Sequence, residues 1–313
     1  MTLSIGVDIG GTKIAAGVVD EDGRIVEQAR RESPAKDTKA MGAAIADAVG
    51  ALREEYTVEG VGLGAAGFVD AGRSTVLFAP NLAWRDEPLK AELQSHVDLP
   101  VVVENDANAA AWGEFQFGAG HDVDDLLLVT VGTGVGGGLV LDGELYRGAF
   151  GVAAEIGHIR VMPGGHLCGC GNRGCWEQYG SGTAMMREVH EVARAGSPLA
   201  AALLDRAGGE VEDITGQMVT KAAQEGDGFA IEMLTETGRW LGEGIATLAA
   251  VLDPALVALG GGVAEAGDLL LDPVRDAFRK SLTGRRHRPE LEIRTARLGN
   301  SAGLIGAADL ARR

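Results

Sequence analysis

The sequence predicts an α/β protein made of two similar lobes with a cleft between them. Three observations support this fold class. Predicted helices and strands alternate along the chain, one strand–turn–strand unit occurs twice, and 313 residues with 46% hydrophobic content can fill more than one core. We therefore expect two domains that face each other across an interdomain cleft.

The first copy of the repeated unit lies at the amino terminus. A β-branched run at residues 3–8 enters the glycine-rich turn 9–13, and residues 14–20 continue as a second strand before the Asp22-Gly23 hairpin turn. A Walker A loop and a dinucleotide-binding fingerprint both require a helix directly after the glycines. Because a strand follows here instead, the sequence excludes both motifs.

This glycine-rich turn predicts a phosphate site. Glycines let backbone amides approach phosphate oxygens, a threonine hydroxyl can donate a hydrogen bond, and a carboxylate at the strand end can hold hydrated magnesium. An ordinary hairpin eased by glycine is the alternative, because short glycine motifs also occur by chance. The residues assigned to nucleotide and magnesium binding are Asp8, Gly10, Gly11, Thr12 and Lys13.

The second copy of the unit lies near the middle of the chain. Strand 126–131 enters the turn 132–138, residues 139–141 continue as a strand, and Asp142-Gly143 marks the hairpin. The repeated order indicates a duplicated fold and strengthens the phosphate assignment. A third glycine run follows a buried strand and suits an adenosine platform, where no side chain intrudes. The nucleotide residues assigned in these two segments are Gly132, Thr133, Gly134, Gly136, Gly260, Gly261 and Gly262.

Helices and strands fill the rest of the chain. Hydrophobic periodicity and capping residues predict further elements, with strands inside 58–69, at 101–104 and at 256–259, and helices at 38–55, 107–117, 183–195, 220–225, 228–252 and 301–313. We expect a small amino-terminal lobe at 1–116, joined by the carboxyl-terminal helix 301–313. Residues 117–300 then form the larger lobe.

Asn105 and Asp106 follow the apolar strand at 101–104. Open α/β sheets bind ligands at the carboxyl ends of their strands, and a carboxylate there can accept a hydroxyl proton during phosphoryl transfer. Helix capping is the alternative role, because Asn and Asp are common caps. We favour Asp106 as a catalytic base.

All three cysteines, Cys168, Cys170 and Cys175, lie in one glycine-rich loop. Their odd number and close spacing argue against disulfides. With one histidine they form a set that suits tetrahedral zinc, and four protein ligands leave no open position for catalysis, so the metal would be structural. His158 and His166 are rival candidates for the fourth ligand. Three buried free thiols beside a core histidine are the alternative reading.

The overall charge and the lack of long apolar segments narrow the possible partners. A formal net charge of −17 disfavours nucleic acid, because a binder must neutralise phosphates with clustered Lys and Arg. The amino terminus has no basic segment, and no apolar stretch reaches the length of a bilayer. We therefore expect a cytoplasmic protein without membrane contact.

The motifs, taken in order, resemble those of the ROK sugar kinases, and among them the bacterial glucokinases of actinomycete type. The resemblance covers nearly the whole chain. Each motif is weak alone, but the ordered combination is highly specific. The segments that carry it are 8–13, 80–82, 104–109, 132–138 and 155–177.

The resemblance implies a fold of the actin and hexokinase type, which is ribonuclease H-like, with ATP between the lobes. It implies transfer of the ATP γ-phosphate to the 6-hydroxyl of glucose, with Asp106 as base and Mg²⁺ as cofactor. His158 would bind Zn²⁺ through one ring nitrogen and face the sugar with the other. By similarity the sugar ligands are Asn81, Asn105, Asp106, Glu155, His158 and Glu177, and the zinc ligands are His158, Cys168, Cys170 and Cys175. Relatives imply a homodimer or a homotetramer.

Two other functions compete with this interpretation. A kinase of the same family for mannose, fructose or an N-acetylhexosamine would share these motifs, because pocket shape is not visible in one sequence. A sugar-sensing repressor of the family carries an amino-terminal DNA-binding module, and a first strand at Leu3 leaves no residues for one before it. Polyphosphate is an alternative phosphoryl donor in relatives that usually lack the cysteine cluster.

Overall fold

A computed structural model describes residues 2–313 of the chain. The chain divides into two compact units. The first contains residues 2–128, 137–154 and 296–313, and the second contains residues 129–136 and 155–295. Within the described residues, no helix combines the length and the apolar character needed to cross a membrane.

Thirteen strands are distributed along the described chain. Their bounds are β1 (Ser4–Ile9), β2 (Lys13–Val19), β3 (Ile25–Glu32), β4 (Val61–Ala65), β5 (Phe68–Val69), β6 (Val76–Phe78), β7 (Arg85–Glu87), β8 (Val101–Asn105), β9 (Leu126–Val131), β10 (Val135–Leu141), β11 (Glu144–Leu145), β12 (Leu256–Gly260) and β13 (Glu292–Thr295).

Ten α-helices alternate with these strands across residues 2–313. Their bounds are α1 (Thr38–Arg53), α2 (Leu89–Gln94), α3 (Asp106–Phe117), α4 (Glu177–Gly180), α5 (Gly182–Arg194), α6 (Ala201–Arg206), α7 (Gly216–Gln224), α8 (Gly228–Leu252), α9 (Asp268–Ser281) and α10 (Ala302–Leu310). Short 3₁₀ helices cover Ile156–His158, Pro198–Ala200, Val211–Asp213, Gly262–Ala266 and Gly299–Ser301.

The first sheet has five strands in the order β3-β2-β1-β4-β8. β1 pairs antiparallel with β2 and parallel with β4, and β4 pairs parallel with β8. One row of paired residues crosses the sheet from Ala29 through Ala16, Val7 and Leu63 to Val103. All but Ala29 are fully buried, so this row lies in the core of the first unit.

Helices α1 and α10 pack against this sheet with their apolar faces. α1 buries Met41, Ile45 and Val49 in the same cluster as the strands, and the Asp37 carboxylate caps its first turn by accepting from the Ala40 amide at 3.1 Å. α10 lies so close to β1 that a Cβ on Gly6 would overlap the Leu304 carbonyl. The sheet and α10 therefore require a residue without a side chain at that crossing.

The second sheet repeats the plan of the first, with the order β11-β10-β9-β12-β13. β10 pairs antiparallel with β11, and β12 pairs parallel with β13. In the β10–β11 turn both Asp142 and Gly143 have positive φ, 51° and 76°, as a type I′ hairpin requires. The internal repeat read from the sequence thus corresponds to two sheets with the same strand order.

The predicted domain boundaries differ from the division of the structure. The structure assigns residues 117–128, 137–154 and 296–300 to the first unit, whereas the sequence placed them in the larger lobe. The segment 137–154 packs on the first unit through β10, because Gly138 approaches α3 so closely that a Cβ would lie 2.8 Å from the Ala107 carbonyl oxygen. The boundary between the units therefore runs through β9 and β10.

Candidate active site

Asn105 and Asp106 lie where β8 ends and α3 begins. The Asn105 side-chain oxygen caps α3 by accepting from the Asn108 amide at 3.0 Å, while its amide group donates to the Gly67 carbonyl and to Asp106 Oδ1, both at 3.1 Å. One residue therefore both caps the helix and contacts the candidate base. Asn105 fixes the orientation of the Asp106 carboxylate, and the amino-terminal end of α3 favours the negative charge there.

Behind this strand end, Glu104 forms a buried charge cluster with two arginines of the first unit. Its side chain is 1% exposed, and Oε2 lies 2.7 Å from Arg147 Nε and 3.3 Å from Arg73 Nε. The Arg147 Nε–H is not aligned as a hydrogen bond, so the contact is an ion pair. The other carboxylate oxygen of Glu104, Oε1, accepts hydrogen bonds from the backbone amide of Asn105 and from the side-chain amide of Asn108.

Glu104 therefore holds the backbone that carries the candidate base. Sequence reasoning gave no role to Glu104, Arg73 or Arg147, because the three lie far apart along the chain. A charged residue at the end of an apolar strand was the one signal present. Arg147 also donates to the Asp70 and Ala71 carbonyls at 2.9 and 3.0 Å. The loop that contains Asp70 and Ala71 is therefore hydrogen-bonded to the same cluster.

The first predicted phosphate turn closes tightly between β1 and β2. The Gly10 amide donates to the Lys13 carbonyl at 3.0 Å, and Thr12 and Lys13 are exposed. Burial raises the pKa of Asp8 above its ordinary value, and Lys13 partly opposes that shift. Asn81 lies next to the turn, since a Cβ on Gly11 would be 3.7 Å from the Asn81 carbonyl oxygen.

The second phosphate turn is held within the second unit. The Gly132 amide donates to the Gly134 carbonyl at 3.0 Å, and the Gly132 carbonyl accepts from the Gly182 amide, at the start of α5, at 2.8 Å. Thr133 is exposed at the tip, and Gly136 continues into β10. The turn is thus fixed by α5 while its outer face stays accessible.

The third glycine run follows β12. Gly260 is the last residue of that strand, and Gly262 begins a 3₁₀ helix. Gly261 has φ 87°, and a Cβ there would overlap the Val131 backbone. Only glycine satisfies both conditions at Gly261, whereas a Cβ on Gly262 would meet no atom within 4 Å.

His158 and the three cysteines converge in the second unit. The candidate ligand atoms of His158, Cys168, Cys170 and Cys175 all lie within 4.8 Å of one another. Cys170 Sγ is 3.6 Å from Cys175 Sγ, and Cys168 Sγ is 3.5 Å from His158 Nδ1. Two sulfurs bound to one tetrahedral zinc at about 2.3 Å lie roughly 3.8 Å apart. The donor set therefore fits zinc in both chemistry and spacing.

The rival ligand His166 does not join this group among the described residues. Its ring packs against Tyr179 with centroids 5.4 Å apart, and its backbone amide donates to the Tyr179 hydroxyl at 3.0 Å. The Nδ1 atom of His158 faces the thiols instead, which leaves Nε2 for another partner.

Glu155 and Glu177 flank the histidine of this cluster. Glu177 Oε1 accepts from Cys168 Sγ at 2.9 Å and lies 3.8 Å from His158 Nδ1. Although Glu155 as a whole residue is exposed, desolvation of its carboxyl group raises the pKa, His158 opposes the shift and Glu177 adds to it. Two carboxylates and one imidazole thus offer acceptors for hydroxyl groups.

Comparison with known proteins gives consistent matches over the whole chain. A model of the ROK family matches residues 4–313. A glucokinase of Streptomyces coelicolor is 50% identical over 312 residues, which cover 100% of this chain and 98% of that protein. The structure of a ROK family glucokinase from Streptomyces griseus in complex with glucose and AMPPNP is 54% identical, with a TM-score of 0.90 and 99% of both chains covered.

A second solved structure supports the same fold. The ROK hexokinase of Thermus thermophilus is 35% identical with a TM-score of 0.82, and the match covers 99% of this chain and 98% of that one. The α/β fold class predicted from the repeated strand–turn–strand unit is therefore confirmed.

Proposed function

Because the chain belongs to the ROK family, we propose that it is an ATP-dependent glucokinase, which transfers the γ-phosphate of ATP to the 6-hydroxyl of glucose. The observation that carries this proposal is the full-length match, at 54% identity and a TM-score of 0.90, to a glucokinase solved with glucose and AMPPNP. The 50% identical glucokinase of Streptomyces coelicolor supports the same activity. A sugar-sensing repressor is not favoured by these full-length matches.

In the proposed mechanism Asp106 is the general base. Its carboxylate accepts the proton of the sugar 6-hydroxyl as that oxygen forms a bond to the γ-phosphorus and the bond to the β,γ-bridging oxygen breaks, releasing ADP. Asn105 supports this role because its side-chain amide donates to Asp106 Oδ1 and thereby orients the carboxylate. In-line positioning of the hydroxyl and the phosphate, together with electrostatic stabilisation of the transferred group, would supply the rest of the rate enhancement.

The glycine turns would hold the nucleotide. We propose that backbone amides of both hairpin turns contact the phosphates and that the third glycine run carries the adenosine. Mg²⁺, when bound, neutralises phosphate charge, and Asp8 at the end of β1 is the residue proposed to hold it through water. Lys13 is exposed beside Asp8 and adds a positive charge for the phosphates.

The polar side chains proposed to hold the sugar are Asn81, Asn105, Asp106, Glu155, His158 and Glu177. Glucose offers hydroxyl groups, and carboxylates and amides are suitable acceptors and donors for them. His158 has a specific part in this proposal, because its Nδ1 faces the thiols and its Nε2 is then available to a sugar hydroxyl.

We propose that His158, Cys168, Cys170 and Cys175 hold a structural Zn²⁺. The metal would fix the loop from His158 to Cys175 and the ring of His158, and it would leave no coordination site for a reactant.

The oligomeric state and the cellular location remain predictions. Light scattering of the purified protein tests for a homodimer or homotetramer, and cell fractionation tests for a cytoplasmic location.

A coupled assay with a panel of sugars tests the proposed function. ATP turnover is measured with glucose, mannose, fructose and N-acetylglucosamine, and polyphosphate replaces ATP in a parallel series. We expect the highest kcat/KM with glucose and ATP. An equal or higher kcat/KM with another sugar would mean that glucose is not the preferred substrate. If no sugar in the panel is turned over, the kinase assignment is wrong.

A further inference from the structure

The second phosphate turn and a candidate sugar ligand are in contact within the second unit. A Cβ on Gly134 would lie 2.6 Å from Glu177 Oε2, which is closer than the van der Waals distance. Gly134 is not among the glycines with positive φ, so its backbone conformation does not require glycine. The space beside Gly134 is instead occupied by the Glu177 carboxylate.

The other oxygen of the same carboxylate reaches the metal-ligand cluster. Glu177 Oε1 lies 2.9 Å from Cys168 Sγ and 3.8 Å from His158 Nδ1. One side chain, 20% exposed, therefore extends between the phosphate turn and the cysteine cluster. A shift of Oε2 away from Gly134 must also move Oε1 relative to these two residues, because both oxygens belong to one rigid carboxylate.

We propose that Gly134 is a positioning residue for Glu177. Its lack of a side chain leaves the space that the carboxylate occupies, so the phosphate turn determines where a sugar ligand points. This inference rests on the proposed function, in which Glu177 binds a sugar hydroxyl. It adds that a change in the phosphate turn weakens glucose binding even when no nucleotide is present.

The type of overlap distinguishes this role from a purely structural one. A Cβ on Gly157 would overlap the Val135 carbonyl, which is backbone and cannot move without disturbing the turn. At Gly134 the overlapping atom is the far end of a side chain, which can rotate away. Gly134→Ala is therefore expected to fold and to displace Glu177.

Gly228 provides a matched control in the second unit. A Cβ on Gly228, the first residue of α8, would meet no atom within 4 Å, and its φ is not in the left-handed region. Glycine-to-alanine changes at Gly228 and Gly134 thus add the same methyl group to one unit, but only the second one reaches Glu177.

Glucose titration calorimetry on zinc-loaded protein without nucleotide tests the proposal. We expect Gly134→Ala to raise the glucose Kd about tenfold, within the range of couplings between contacting residues, and Gly228→Ala to change it less than about twofold. Zinc content and melting temperature are measured on each variant and are expected to match the unsubstituted protein. An unchanged glucose Kd in Gly134→Ala would overturn the proposal.

A double-mutant cycle with Glu177→Asp tests the route of the effect. The shorter side chain withdraws the carboxylate from the added methyl group, so Gly134→Ala should raise the glucose Kd less in the Glu177→Asp background than alone. Equal losses in both backgrounds would show that the effect does not pass through Glu177 and would overturn this inference alone. Failure of the unsubstituted protein to bind glucose would overturn the proposed function together with it.

Discussion

Single residues in this chain combine local structure with chemistry. Asn105 caps α3 and also donates to Asp106, so its capping role does not prevent it from contacting the candidate base. Local patterns of this kind can be predicted because glycine turns, strand ends and clustered cysteines follow from neighbours in sequence. The Glu104 cluster could not be predicted, since its arginine partners come from distant segments.

Asp8 gives a prediction at this scale about pH. Its pKa is raised by burial, with Lys13 opposing, and the proposed magnesium site needs the ionised form. As the pH falls toward this raised pKa, Asp8 becomes protonated and no longer holds Mg²⁺. The affinity for Mg²⁺-nucleotide should therefore begin to fall at a higher pH than it would with an aspartate of ordinary pKa. Titration of Mg²⁺-AMPPNP from neutral to acid pH measures this.

Asp8→Asn is the control for that titration. It should weaken Mg²⁺-nucleotide binding at neutral pH and remove most of its pH dependence, because the group that titrates is gone. The same pH dependence in Asp8→Asn and in the unsubstituted protein would contradict the assignment.

At the scale of elements, most long periodic segments were predicted, whereas the shortest strands and one long helix were missed. The helix predicted at 228–252 coincides with α8, whereas β5, β6 and β7 have two or three residues each and leave no periodic signal. α9 was not predicted, and it contains Pro273, a residue that usually interrupts a helix.

The crossing of α10 and α3 gives a prediction about stability. A Cβ on Gly306 would overlap the Ala109 carbonyl oxygen, and backbone cannot yield there without separating the helices. Gly306→Ala should therefore destabilise the first unit by about 1–3 kcal/mol, as overpacking usually does. Urea unfolding followed by circular dichroism measures the change.

Gly50 in α1 is the matched control for this helix substitution. A Cβ there would meet no atom within 4 Å, so Gly50→Ala should stabilise the first unit by roughly 0.5–1 kcal/mol through its higher helix propensity. Similar effects of the two substitutions would show that close packing at Gly306 is not what limits stability.

For the whole molecule, the duplication was predictable and the division between units was not. Two copies of one strand–turn–strand pattern are visible in the sequence, and they correspond to two five-stranded sheets of the same order. The boundary passes through β9 and β10, and a continuous strand gives no change in composition that would mark a division. The packing of Gly138 on α3 contributes to this division, and such a tertiary contact is not visible in the sequence.

Metal removal is a prediction at the scale of the whole molecule. A zinc-selective chelator, with Mg²⁺ restored afterwards, should lower the melting temperature and weaken glucose binding. The reason is that the loop from His158 to Cys175 loses the metal that connects its four ligands. Hydrogen exchange should increase around Cys168 and remain unchanged in α10. Added Zn²⁺ should reverse these effects, and full glucose affinity in metal-free protein would contradict the role given to His158.

The rate of glucose 6-phosphate formation from glucose and ATP, measured for the unsubstituted protein and for Asp106→Asn, tests the account most directly. We predict that the unsubstituted protein forms this product and that the variant loses about 10²–10⁴-fold in kcat while its glucose Kd changes little, since general-base assistance contributes that much. A near-normal kcat in Asp106→Asn would contradict the role of Asp106 as general base. If the unsubstituted protein forms no glucose 6-phosphate, the proposed glucokinase activity is wrong.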